Sequence, residues 1–134
     1  MTLELVAIAF GGLLILGLIT YASRKRSKLD RAYFKKRWQK ICDTYKVEET
    51  GPTIAVIEAD KLFDQALKNA GYAGETTGDR LKSAGKSLRS INTVWDAHKL
   101  RNKLVHETEI KLKKNDAKNA LKSFYRALRE IGAL

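Results

Sequence analysis

The feature that most constrains this chain is an uncharged run near its start. From Leu5 to Ala22, in LVAIAFGGLLILGLITYA, eighteen residues pass without a charged side chain. A helix rising about 1.5 Å per residue carries such a run roughly 27 Å, close to the hydrocarbon thickness of a bilayer. A single-pass transmembrane anchor is therefore expected over residues 1–23, with the lipid bilayer as first partner. A cleavable secretory signal places basic residues before its apolar run; here Glu4 precedes it and RKRSK follows. The same asymmetry predicts an orientation in the cell membrane, with the N-terminus outside and the remainder cytoplasmic. The single Cys42 agrees with a reducing compartment. Ala7 and Gly11 form a small-xxx-small pair, and Gly17 adds a further small surface for helix pairing in the membrane.

The chain has 134 residues and a net charge of +11. With the anchor set aside, about 110 residues remain, enough for one modest core. The charge is concentrated after the apolar run. Ten Lys or Arg fall between Arg24 and Lys46, against Asp30 and Asp43 alone. We read residues 24–46 as a basic juxtamembrane segment joined to a first cytoplasmic helix. Its Arg24, Lys25, Arg26, Lys28, Lys35, Lys36 and Arg37 suit anionic headgroups or RNA phosphates. Residues 47–134 supply the rest of a helical bundle.

The period of the apolar residues is helical and almost nowhere alternating. Leu29, Phe34, Trp38, Ile41 and Tyr45 mark one face of the first helix. No Gly or Pro interrupts residues 18–46, so this helix is expected to continue from the anchor. EETGP, Glu49 to Pro52, stops it, and Thr53 is expected to cap the next. That second helix buries Ala55, Ala59, Leu62, Phe63, Ala66 and Leu67 and ends at Gly71. Thr76 with Asp79 predicts a capping box for a short helix carrying Leu81 and Ala84. Asn92 is expected to cap the following helix. A last helix from about Asp116 buries Ala117, Ala120, Leu121, Phe124, Leu128 and Ile131. The fold class is all-α: a transmembrane helix followed by a bundle of four or five helices.

Several chemistries are excluded by what is missing. No Gly-rich run ends in Gly-Lys-Ser or Gly-Lys-Thr, as a phosphate-binding loop requires. The GYAG segment lacks the flanking strands of an RNA-clamping GxxG loop and reads as a turn. No Cys/His zinc spacing occurs, and no Ser or Cys nucleophile stands beside a base. His98 and His106 are eight residues apart, about 12 Å along a helix, too far to share one metal ion within a subunit. Neither a metal nor a cofactor is expected.

The segment Trp95 to Glu107, WDAHKLRNKLVHE, carries the remaining chemistry. At about 100° per residue, Ala97, Leu100 and Leu104 point to the core. Asp96, Lys99, Lys103 and Glu107 face solvent. Val94, Trp95 and Val105 share an arc with His98, Arg101 and Asn102, with His106 at its edge. Arg offers a permanent charge and a planar fork for phosphate oxygens. His moves protons near neutral pH. Metal-free RNA cleavage uses both. It removes the 2′-hydroxyl proton, protonates the leaving 5′-oxygen and stabilises the phosphorus-bound oxygens. Asn102 and His106 are an i, i+4 pair, so Asn102 can fix the imidazole tautomer or orient substrate. A structural reading stands beside this one: Arg101 pairs with Glu58 or Asp60, and the arc is a partner interface.

The stretch Arg101-Asn102-Lys103-Leu104-Val105-His106 resembles the signature of the HEPN superfamily of small helical domains. That signature is an Arg, a polar residue often Asn directly after it, and a His four to six residues on. The resemblance implies a HEPN-like bundle that forms a homodimer with its two motifs face to face. It implies a metal-independent endoribonuclease in many members, and binding of RNA, nucleotides or protein partners in others. Carried onto this chain, Arg101 contacts the scissile phosphate, Asn102 assists, and His106 is the acid or base. His98 and Trp95 lie outside the short signature and are auxiliary candidates. The alternative is a non-catalytic interaction or dimerisation module with an unknown protein partner, or a membrane-surface scaffold built on the basic segment.

Overall fold

The computed structural model describes residues 2–24 and 29–134 and, within the first helix, the side chains of residues 6–19. The expected all-α class is observed, with six α-helices, a short 3-10 turn and no strand among the described residues. They are α1 (Thr2–Arg24), α2 (Arg31–Tyr45), α3 (Gly51–Asn69), α4 (Thr77–Ala84), α5 (Ile91–His106) and α6 (Lys114–Glu130), with the 3-10 turn at Gly85–Ser87.

The large apolar side chains of α1, among them Val6, Phe10, Leu14 and Ile19, are exposed and take no part in the core. Among the described residues no helix is long and apolar enough to cross a membrane. The described side chains of α1 cover residues 6–19, about 21 Å of helix against roughly 30 Å of hydrocarbon. Lys25, Arg26 and Lys28 of the basic segment lie outside the described residues, as does the Arg24 side chain.

α1 and α2 are separate helices, contrary to the expectation of one continuous rod. Asp30 is the reason. Its carboxylate accepts the Tyr33 N–H at 3.1 Å and caps α2. After α2 the chain turns through Glu49, at φ +62°, into α3. Helix α3 starts at Gly51 with Pro52 in its first turn, so Thr53 lies inside the helix and is not its cap. A Cβ on Gly51 would run into the Thr44 carbonyl, which explains a glycine where α2 and α3 meet.

Helix α3 is the centre of the bundle and touches α2, α4, α5 and α6. Its alanines at 55, 59 and 66 are fully buried and let neighbouring helices approach closely. Phe63 supplies bulk instead, meeting Phe124 of α6 with ring centroids 5.9 Å apart. Truncating such a buried Phe costs about 3–5 kcal/mol. The predicted apolar faces of α2, α3, α4 and α6 all line this core, with Trp38, Tyr45, Leu121 and Ile131 at its margin.

The turns follow their predicted chemistry in part. Gly71, at φ +87°, closes α3 with its N–H donating to the Lys68 carbonyl. The GYAG segment is a loop, and the Thr76–Asp79 capping box is formed in both directions. Asn92 is not the α5 cap. The helix begins at Ile91, and the Glu130 carboxylate of α6 accepts the N–H groups of Arg89 and Ser90 instead. A distant carboxylate thus holds the chain just ahead of α5, whose own start has no side-chain cap.

Candidate functional site

Two carboxylates on α3, one turn apart, organise the face that meets α4 and α5. Asp64 receives the Arg80 fork, with Nε donating to Oδ1 at 2.8 Å and Nη2 to Oδ2 at 3.1 Å. Arg80 also donates to the Gly74 carbonyl, tying α3, α4 and their connection together. Burial alone would push the Asp64 carboxyl up, but the hydrogen bonds from Arg80 and Thr77 outweigh it and hold it below its ordinary value.

Asp60 is 1% exposed and takes the other direction, into α5. A carboxylate only accepts, so the His98 Nδ1–H donates to Asp60 Oδ1, at 2.7 Å. In the neutral ring Nε2 is then the acceptor. The Asn102 amide oxygen already accepts from Arg101 Nη1 at 3.0 Å, which turns its Nδ2–H toward His98 Nε2, at 3.4 Å. Arg101 Nε closes the ring of groups 3.3 Å from Asp60 Oδ2. Its N–H is not aligned with any acceptor, so this contact is an ion pair without a directed hydrogen bond. The edge of His98 meets Trp95, with centroids 5.9 Å apart, and Trp95 covers Gly78 at the start of α4.

The predicted arc is therefore half assembled within one chain. His98, Arg101, Asn102 and Trp95 come together, and the acid that joins them is Asp60. Glu58 is engaged elsewhere, 2.9 Å from Lys61 and 3.9 Å from Arg37. His106, the last residue of α5, stands apart: it is exposed, and its side chain makes no hydrogen bond or ion pair among the described residues. The expected Asn102–His106 pairing is not formed, because Asn102 spends its amide on Arg101 and His98. The Arg101 side chain remains 25% exposed, so part of its fork still faces solvent.

The α2 residues of the predicted basic surface diverge. Lys35, Lys36 and Arg37 are all exposed. Arg37 turns toward α3, whereas Lys35 lines a groove between α2 and α6. Cations of α6 complete that groove. They escape a reading of the sequence because they lie far from the juxtamembrane run. Among the described residues, no group of three or more His, Cys, Asp or Glu side chains could hold a metal ion.

Comparison with protein-family profiles, curated proteins and solved structures gives no match for this chain. The site's chemistry rests on its own geometry.

Proposed function

We propose that this chain is a HEPN-like RNA-binding domain, tethered to a membrane by its apolar N-terminal helix. In this reading two copies meet through α5 and cleave RNA without a metal. One observation carries it: an Arg101–Asn102 pair positioned by buried Asp60 and His98 lies one helical turn from an exposed, unpartnered His106. Arg101 is oriented before substrate arrives, and its remaining donors suit the oxygens of a scissile phosphate. His106 is free to take the 2′-hydroxyl proton or to protonate the leaving 5′-oxygen. One chain offers a single such histidine, and a facing copy supplies the second.

The tether is supported by the uncharged run from Leu5 to Ala22 and by the unpacked apolar side chains of α1. The basic flank directs the bundle to the cytoplasmic side.

The test uses the full chain in mild detergent with single-stranded RNA and excess chelator. Cleavage that disappears in His106→Ala and in Arg101→Ala supports the reading. Equal cleavage by the variants and the parent means a contaminating nuclease and sinks it.

The Arg101–Asp60 ion pair favours a second reading, in which the arc is a non-catalytic interface between copies or with a protein partner. The exposed Val105, on the same helix, then packs against that partner. This version predicts that Val105→Glu changes the association state of a chain that leaves RNA intact.

A further inference from the structure

A groove of about 1070 Å³ runs between α2 and α6. The two helices are antiparallel: Trp38 packs on Tyr125 with centroids 5.5 Å apart, and the Tyr45 hydroxyl donates to the Lys114 carbonyl. From Arg31 to Tyr45 the groove follows about 21 Å of helix. Its floor is aromatic and apolar, built on Trp38, Tyr125 and Leu121. Its rim carries Arg31 and Lys35 from α2 and Lys118, Lys122 and Arg129 from α6.

The rim is basic along its whole length. No Asp or Glu side chain lines the groove, and none of the five cations is ion-paired among the described residues. Arg129 also lies 6.0 Å over the Tyr125 ring, adding a guanidinium plane beside the aromatic floor.

We propose that the α2/α6 groove binds single-stranded RNA, stacking bases on Tyr125 and Trp38 and holding phosphates with the five rim cations. Unpaired cations along an aromatic-floored groove match the electrostatics of a single strand, which needs stacking surfaces at its centre and positive charge along its edges. An acidic peptide or a bilayer would use the cations without needing stacked rings. The groove lining shares no residue with α3 or α5, so it serves as a binding track distinct from the α5 motif. The inference rests on the proposed action on RNA and names the form of RNA bound.

The test is binding of a fluorescent ten-nucleotide 2′-O-methyl oligouridylate, which lacks the nucleophile for self-cleavage, to the full chain in mild detergent. The affinity is measured across a salt series. The slope of log K against log salt falls by roughly 0.7 for each phosphate that the protein no longer neutralises. Lys122→Gln and Lys118→Gln should each flatten it by about that amount, and Tyr125→Leu should weaken binding about fivefold or more. Lys111→Gln, outside the groove, should stay within twofold. Circular dichroism checks that each variant is folded. Unchanged slope and affinity in all three groove variants overturn the proposal, and so does a parent that binds no oligonucleotide. Loss of phosphatidylserine-vesicle binding in those variants, with oligonucleotide binding intact, reassigns the groove to lipid. The two readings fail separately. Cleavage that depends on His106 with no groove effect defeats only the groove, and groove-dependent binding without cleavage defeats only the catalytic reading.

Discussion

His98 Nδ1 lies 2.7 Å from Asp60 Oδ1 where α3 packs on α5, and the carboxylate is almost wholly withdrawn from water. The two partners are unequal. Without the histidine, Asp60 remains a buried charge facing only the misaligned Nε of Arg101. Without the charge on Asp60 no buried carboxylate is stranded, and the Arg101 side chain still reaches solvent.

His98→Leu is therefore expected to destabilise the bundle by about 3–5 kcal/mol, the cost of stranding a buried charge. Asp60→Asn should cost only about 1 kcal/mol, the difference between a charged and a neutral hydrogen bond. Urea unfolding at pH 7 gives both values. The opposite ranking would mean that Asp60 does not depend on His98.

Acid should weaken the link between Asp64 and Arg80. The Asp64 carboxyl sits below the ordinary value of 3.8 because the Arg80 and Thr77 hydrogen bonds overcome its partial burial. A lowered folded value contributes stability that is fully present above the unfolded value. That contribution is lost as pH falls through the folded one. Between pH 6 and pH 3 the parent should therefore lose more stability than Asp64→Asn, which has no carboxylate to protonate there. Unfolding curves at the two pH values measure the difference. A larger acid loss in the variant would contradict the pairing.

The helices are readable because their apolar period is strong and their buried faces are consistent, as Phe34 and Ile41 on α2 and Phe124 and Leu128 on α6 illustrate. Three helix starts, those of α2, α3 and α5, differ from expectation, for reasons that are local at Asp30 and distant at α5. Glu130 holds the Arg89 and Ser90 N–H groups ahead of α5 from forty residues away, and a single aspartate, Asp30, breaks what reads as a continuous helix. At the site, the arc on α5 is visible in sequence as polar groups on a half-apolar face. The carboxylate at its centre is visible only as one of two acids near Arg101, since its choice of His98 depends on how α3 and α5 pack. An acid among Ala55, Ala59, Leu62 and Phe63 is the signal that a buried partner has to exist.

Cys42 lines the α2/α6 groove, and burial with the nearby Asp43 pushes its thiol above the ordinary 9.0, against a smaller opposing effect of Lys46. Its thiolate fraction at neutral pH is therefore below that of a free cysteine. Alkylation at pH 7.5 should be slower than for glutathione, and the rate should climb with a midpoint above pH 9.0. Iodoacetamide kinetics across pH 7 to about 10 report this directly. A midpoint below 9.0 would show that the groove's cations, not its burial, control the thiol.

His106 and Arg101 separate chemistry from folding, because only one of them has a structural partner. His106 is exposed and unpaired at the end of α5, so His106→Ala should leave unfolding stability within about 0.5 kcal/mol of the parent. As a proton-transfer group it should cost the proposed cleavage about 10²-fold or more. Arg101→Lys keeps a charge beside Asp60 but loses the planar fork and its reach to Asn102. It should retain most RNA affinity while cleavage falls by about 10²-fold, as when one oriented donor to a developing oxyanion is removed. Initial rates on end-labelled RNA in excess chelator, beside urea unfolding of the same preparations, supply both readouts. Undiminished cleavage by a well-folded His106→Ala would remove His106 from the reaction and leave α5 as a packing and interface helix.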